Sequence, residues 1–232
     1  MNRNMKLLAL GFAVLIVLLS AETYALQLVG KQSQASLVRV ACVGDSLTCG
    51  TGYPVDLWQM IGSRYVIGNF GVNGATVFHG SDNPYLNTTA LQVAMHFEPQ
   101  IVIILLGTND ANTNLNESNI AFVNDYVKLI DLFQGLASKP KVWVVEPPPI
   151  FNSTSGLSPD YLVQNIIPDI QQVANQTGAS VIDVYNPLVN HSAYFSVDGV
   201  HPDSDGAEAI AILMYNAVFS NDNHDSSATP FD

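Results

Sequence analysis

A chain of 232 residues that is 48% hydrophobic and 12% charged carries enough apolar side chains for one substantial core. Its 8 Lys+Arg against 20 Asp+Glu give a formal net charge of −12. With no basic run anywhere, that balance argues against nucleic acid and anionic membrane surfaces and favours a neutral or weakly polar substrate.

Residues 1–25 read as a secretory signal peptide. Arg3 and Lys6 precede the apolar run Leu7 to Leu19, and Thr23-Tyr24-Ala25 offers a small-residue cleavage site. The run falls short of the roughly 20 apolar residues that a membrane-spanning helix needs. Cleavage would start the mature chain near Leu26 and place it outside the cell or in the secretory lumen. In that setting the five N-x-Ser/Thr sequons at Asn87, Asn116, Asn152, Asn175 and Asn190 become candidate glycosylation sites.

Residues 26–37 are a short lead-in, and a domain is expected over 38–219. Val40-Ala41-Cys42-Val43 is an apolar run that ends abruptly in Gly44-Asp45-Ser46, the pattern of a buried strand delivering a serine to a sheet edge. Cys42 in the strand and Cys49 in the turn after it would have to approach to about 5.5 Å between Cα atoms to form a disulfide. Nothing in their spacing requires that.

Pro54 to Ser63 then reads as a helix with Val55, Leu57, Trp58 and Ile61 on one face, followed by a strand from Tyr65 to Phe70. Helical spacing returns from Tyr85 to Phe97. Ile101 to Leu106 is uniformly aliphatic, as a strand covered on both faces must be, and stops in Gly107-Thr108-Asn109-Asp110. A helix from about Glu117 to Ala137, striped by Ile120, Val123, Val127, Ile130 and Phe133, leads to a strand from Lys141 to Val145. Pro147-Pro148-Pro149 then forces a loop. A helix over Pro159 to Gln176, a strand over Ser180 to Val184 and a helix over Asp205 to Phe219 complete the domain, and residues 220–232 read as a disordered acidic tail.

Strands alternating with helices predict an α/β domain whose parallel sheet is covered on both faces. Right-handed crossovers bring every strand's C-terminal end to one rim, and with it Ser46, Asn73-Gly74 and Asn109. Asp198 and His201, three apart around Gly199, could fold so that the carboxylate meets one imidazole nitrogen while the other points outward as a base. Alone, that pair could equally cap the following helix. Gly74 and Asn109 could each be ordinary turn residues or donors to an oxyanion. Asp45 and Asp110 are assigned to hydrogen bonding within their own turns.

Together, Gly44-Asp45-Ser46-Leu47, Asn73-Gly74-Ala75, Gly107-Thr108-Asn109-Asp110 and Asp198-Gly199-Val200-His201-Pro202 resemble the four signature blocks of the SGNH, or GDSL-type, esterases and lipases, in that family's order. The resemblance implies Ser46 as nucleophile, His201 as base and Asp198 as its orienting acid. It also implies an oxyanion hole from the N–H groups of Ser46 and Gly74 and the Asn109 side chain, and a flavodoxin-like three-layer α/β/α fold with strand order 2-1-3-4-5.

Thr48 stands where a Gly-x-Ser-x-Gly elbow would have its second glycine, so the ordinary α/β-hydrolase pattern is not met. Asn69–Thr76, Asn83-Pro84-Tyr85 and the triple proline look most similar to the carbohydrate O-acetylesterase branch. The implied enzyme uses no cofactor and no metal, and acts on a small-molecule or carbohydrate ester. It has no nucleic-acid partner and no stable membrane insertion.

Three alternatives stay open: a lipase, lysophospholipase or thioesterase on the same scaffold, a metal hydrolase using Asp45, Asp110, Asp198 and His201, and a non-catalytic carbohydrate-binding glycoprotein.

Overall fold

A computed structural model describes residues 37–115, 118–151 and 156–220. The signal peptide, nearly all of the lead-in and tail, and the sequons at Asn116 and Asn152 lie outside the described residues.

Five strands form one sheet: β1 Val38–Gly44, β2 Tyr65–Gly71, β3 Ile101–Leu105, β4 Lys141–Glu146 and β5 Ser180–Asp183. They are parallel throughout and ordered β2-β1-β3-β4-β5. Among the described residues the α-helices longer than a single turn of three residues are α1 Ser46–Gly50, α2 Tyr53–Ile61, α3 Thr89–His96, α4 Asn119–Gln134, α5 Ile167–Thr177, α6 Tyr185–Leu188 and α7 Ser204–Val218.

Side chains alternate across a strand, and the two faces of the sheet bury separate clusters. Ala41, Val43, Val102, Ile104 and Val144 face α3, α4 and α5 through Leu91, Phe122, Tyr126, Ile130, Ile170 and Val173. Val40, Cys42, Ile103, Leu105 and Val145 face α2 and α7 through Leu57, Ile61, Ile210, Ala211 and Met214. This is the three-layer arrangement expected of the sequence.

Several local expectations are corrected. Ser46–Gly50 is a helix and not a turn, so Cys49 is helical; Asp45 initiates it by accepting the Leu47 N–H at 2.9 Å. Helix α2 buries Tyr53, Leu57 and Ile61, an i, i+4, i+8 row, and leaves Val55 and Trp58 about half exposed (55% and 51%). On α4 the larger aromatic residues Phe122, Tyr126 and Phe133 take the buried face while Ile120 is exposed.

The expected helix over 85–97 is divided by Thr88, whose side chain caps α3 by accepting the Leu91 N–H at 3.2 Å. The expected helix over 159–176 contains a π-helical stretch, Leu162–Ile166, just before Pro168. Proline has no N–H to donate and its ring crowds the carbonyl four residues back, so the widened turn falls where an α-helical ladder would be broken.

Candidate active site

The loops after β1, β2 and β3 and the loop before α7 meet at the C-terminal rim of the sheet, around a pocket of about 270 Å³ lined in part by Ser46, Gly74, Asn109 and His201. Open parallel sheets place ligands at this edge. A larger groove of about 500 Å³ between α2 and β2 is lined by residues such as Pro54, Val55, Trp58 and Ile67. Its lining holds no nucleophile and base pair, so the chemistry points to the smaller pocket.

Asp198, Gly199, Val200 and His201 form a tight loop. Asp198 Oδ1 accepts the N–H groups of Val200 (2.9 Å) and His201 (3.0 Å), and Oδ2 lies 2.6 Å from His201 Nδ1. Partial burial pulls the Asp198 pKa upward, but the two backbone donors and the imidazole outweigh it and hold the carboxyl below its ordinary value. An ionised Asp198 can only accept, so Nδ1 carries the proton. Nε2 is then the acceptor that faces Ser46 Oγ at 2.8 Å. The arrangement can take a proton from a serine hydroxyl while keeping the imidazole in one tautomer.

Gly199 makes the loop possible. Its φ is +71°, and a Cβ there would sit 1.4 Å from the carbonyl oxygen of Phe151.

Ser46 is the first residue of α1, where N–H groups have no partner within the helix. Asn109 begins a short 3-10 turn, and its Nδ2 donates to Ala75 O at 2.9 Å and to Asp45 Oδ2 at 3.3 Å. Both amide protons therefore face protein acceptors, the one toward Asp45 more loosely.

Asp45 and Asp110 do more than tie their own turns. Asp45 reaches Asn109, and Asp110 accepts the N–H groups of Val77 (3.0 Å) and Phe78 (2.9 Å), joining the third loop to the second. These contacts span 64, 33 and 32 residues and leave no local signal in the sequence. Both carboxyls are fully buried, and burial pushes Asp45 up to about 7 and Asp110 up to about 6. Among the described residues, no group of three or more His, Cys, Asp or Glu side chains is arranged to hold a metal ion. Asp45, Asp110, Asp198 and His201 are instead each committed to the contacts above.

Of the other histidines, His79 and His96 are exposed, and none of His79, His96 and His191 lines the pocket. Cys42 is buried and Cys49 exposed, and both are free thiols. Asn87, Asn175 and Asn190 are exposed. Among the described residues no helix is long and apolar enough to cross a membrane.

A family model described as GDSL-like Lipase/Acylhydrolase matches residues 42–209, a span that takes in all four loops. The chain belongs to that family. It is 31% identical over 206 residues to an acetylxylan esterase of Xylanibacter ruminicola, the match covering 78% of this chain and 43% of that protein. The chain thus spans less than half the length of that relative.

Among solved structures, a lipase/acylhydrolase from Enterococcus faecalis matches with a TM-score of 0.65 at 21% identity, covering 78% of this chain and 95% of the other. A carbohydrate acetylesterase family member from Sinorhizobium meliloti matches with a TM-score of 0.60 at 20% identity, covering 78% and 97%. At these identities the GDSL-family likeness to solved structures is one of fold.

Proposed function

We propose that this GDSL-family protein is a secreted serine esterase that removes short acyl groups, acetyl foremost, from carbohydrates. The reading rests chiefly on the relay Asp198–His201–Ser46, with contacts of 2.6 and 2.8 Å opening into the pocket. His201 Nε2 takes the Ser46 proton as Oγ attacks the ester carbonyl. The N–H groups of Ser46 and Gly74 and the Asn109 amide hold the oxyanion. His201 then returns the proton to the leaving alcohol, which departs as the acyl–Ser46 ester forms. Water, deprotonated by the same imidazole, hydrolyses that ester and restores the serine.

The lining favours a sugar over a long acyl chain. Ser81, Asp82, Asn83 and Asn112 offer donors and acceptors to hydroxyl groups, while the apolar wall is limited to Leu115, Leu157 and Val200. The likeness to an acetylxylan esterase supports acetyl as the acyl group.

Charge supports a neutral substrate. Asp82 and Asp198 stand at or beside the pocket, whereas Arg39, Arg64, Lys139 and Lys141 lie at the opposite, N-terminal ends of the strands.

Secretion follows from the residue pattern of 1–25, and exposure of Asn87, Asn175 and Asn190 is compatible with glycan addition there.

The test is a substrate panel. Acetylated xylo-oligosaccharide and p-nitrophenyl acetate should be hydrolysed with kcat/KM at least about tenfold above p-nitrophenyl palmitate, phospholipid and a negatively charged acetate ester, a factor worth about 1.4 kcal/mol of transition-state binding. Preference for the long chain or the phospholipid would make the protein a lipase or lysophospholipase.

A further inference from the structure

The geometry points to Asp45 as the positioning residue for the oxyanion donor Asn109, an inference that rests on the esterase reading above. The Asn109 amide reaches the pocket from a short turn, and its bond to Ala75 O at 2.9 Å leaves it free to swing about that one contact. A second contact, from Nδ2 to Asp45 Oδ2 at 3.3 Å, fixes the plane of the amide. That distance is longer than the usual N–H···O value near 2.9 to 3.0 Å, so this proton is only partly taken up and can be shared with an oxyanion forming in the pocket.

Asp45 is itself held in place by its surroundings. It is fully buried, and its other oxygen accepts the Leu47 N–H at 2.9 Å, one residue beyond the nucleophile. One carboxyl group thus links the start of the serine helix to the oxyanion donor 64 residues away.

A cap alone does not call for an aspartate here. Serine, threonine or asparagine would cap α1 as well without burying an ionisable group, and the desolvation that pushes Asp45 up to about 7 is a cost such a cap would not carry. Among the described residues the salt bridge present is His201–Asp198, so no cation offsets that cost at Asp45.

The two roles separate in Asp45→Ser, whose hydroxyl can still accept the Leu47 N–H but is too short to reach Asn109. With p-nitrophenyl acetate, Asp45→Ser should lower kcat by about 10- to 100-fold with KM within about threefold, and Asn109→Ala should lower kcat by about 100- to 1000-fold. The double variant should match Asn109→Ala alone, because Asp45 acts through the group already removed.

Effects that multiply in the double variant, a wild-type kcat in Asp45→Ser, or a loss confined to KM would each reduce Asp45 to a cap. A wild-type kcat in Asn109→Ala would instead overturn the oxyanion assignment on which the proposal rests. If Asp45→Ser does not fold by circular dichroism, Asp45→Asn takes its place with the same expectation. It keeps an oxygen for Leu47 and turns an N–H against the Asn109 amide.

Discussion

Asp45 and Asp110 lie completely buried beneath the pocket, each held by N–H donors and neither by a cation among the described residues. Burial raises their pKa values from 3.8 to about 7 and about 6. The native state therefore holds protons that the unfolded chain has released, and the free energy of unfolding falls as pH rises through that window. Their contribution is full below the unfolded value of 3.8 and is lost by about pH 7 for Asp45 and about pH 6 for Asp110. Asp198, whose pKa is lowered, runs the other way: its stabilisation is present above 3.8 and lost at more acid pH, outside that window. The melting temperature should accordingly decline from pH 5 to pH 8, and Asp45→Asn should flatten the decline. A melting temperature that rises over that range, or an unchanged slope in the variant, would contradict the assignment.

The strands that lead into the site end where breaks are legible in the sequence. Runs such as Val40–Val43 and Ile101–Leu106 stop in Gly, Asp and Asn, and the strands end within a residue or two of those breaks. Helix faces were less legible. Val55 and Trp58 share a helical spacing with Leu57 and Ile61, yet Tyr53 decides the buried row because its hydroxyl meets Thr48 Oγ1 at 3.0 Å beneath α1. The five-residue helix α1 was hidden because Ser-Leu-Thr-Cys-Gly has little helical preference, and its start depends on the Asp45 cap. The loop bearing Asp198 and His201 was visible as a motif, but not its clamp, in which the Phe151 N–H donates to Gly199 O at 2.6 Å. Gly199→Ala should break that clamp, since both the positive φ and the Phe151 carbonyl oppose a Cβ. We expect a loss of about 2 kcal/mol or more in stability together with at least about a tenfold lower kcat. A variant with wild-type melting temperature and kcat would show that the loop tolerates opening.

At the scale of the whole molecule, the all-parallel order β2-β1-β3-β4-β5 assembles four sequence-distant loops on one rim. This is why residues 155 apart, Ser46 and His201, meet at 2.8 Å. The order of the loops along the chain was readable from residue types. Contacts between loops were not, because the partners of Asp45 and Asp110 are chosen by packing beneath the pocket and leave no spacing to detect. The placement of Arg39, Arg64, Lys139 and Lys141 at the strand ends opposite the pocket likewise emerges only once the strands are placed side by side. The proposed acyl-enzyme at Ser46 is tested most directly by active-site labelling. The protein should be treated with a serine-directed fluorophosphonate, digested and analysed by mass spectrometry. We expect one phosphonyl adduct per chain, on the peptide containing Ser46, with esterase activity lost in proportion to labelling and neither adduct nor activity in a folded Ser46→Ala variant. Undiminished activity in Ser46→Ala, or complete inactivation with the adduct on a different residue, would contradict it.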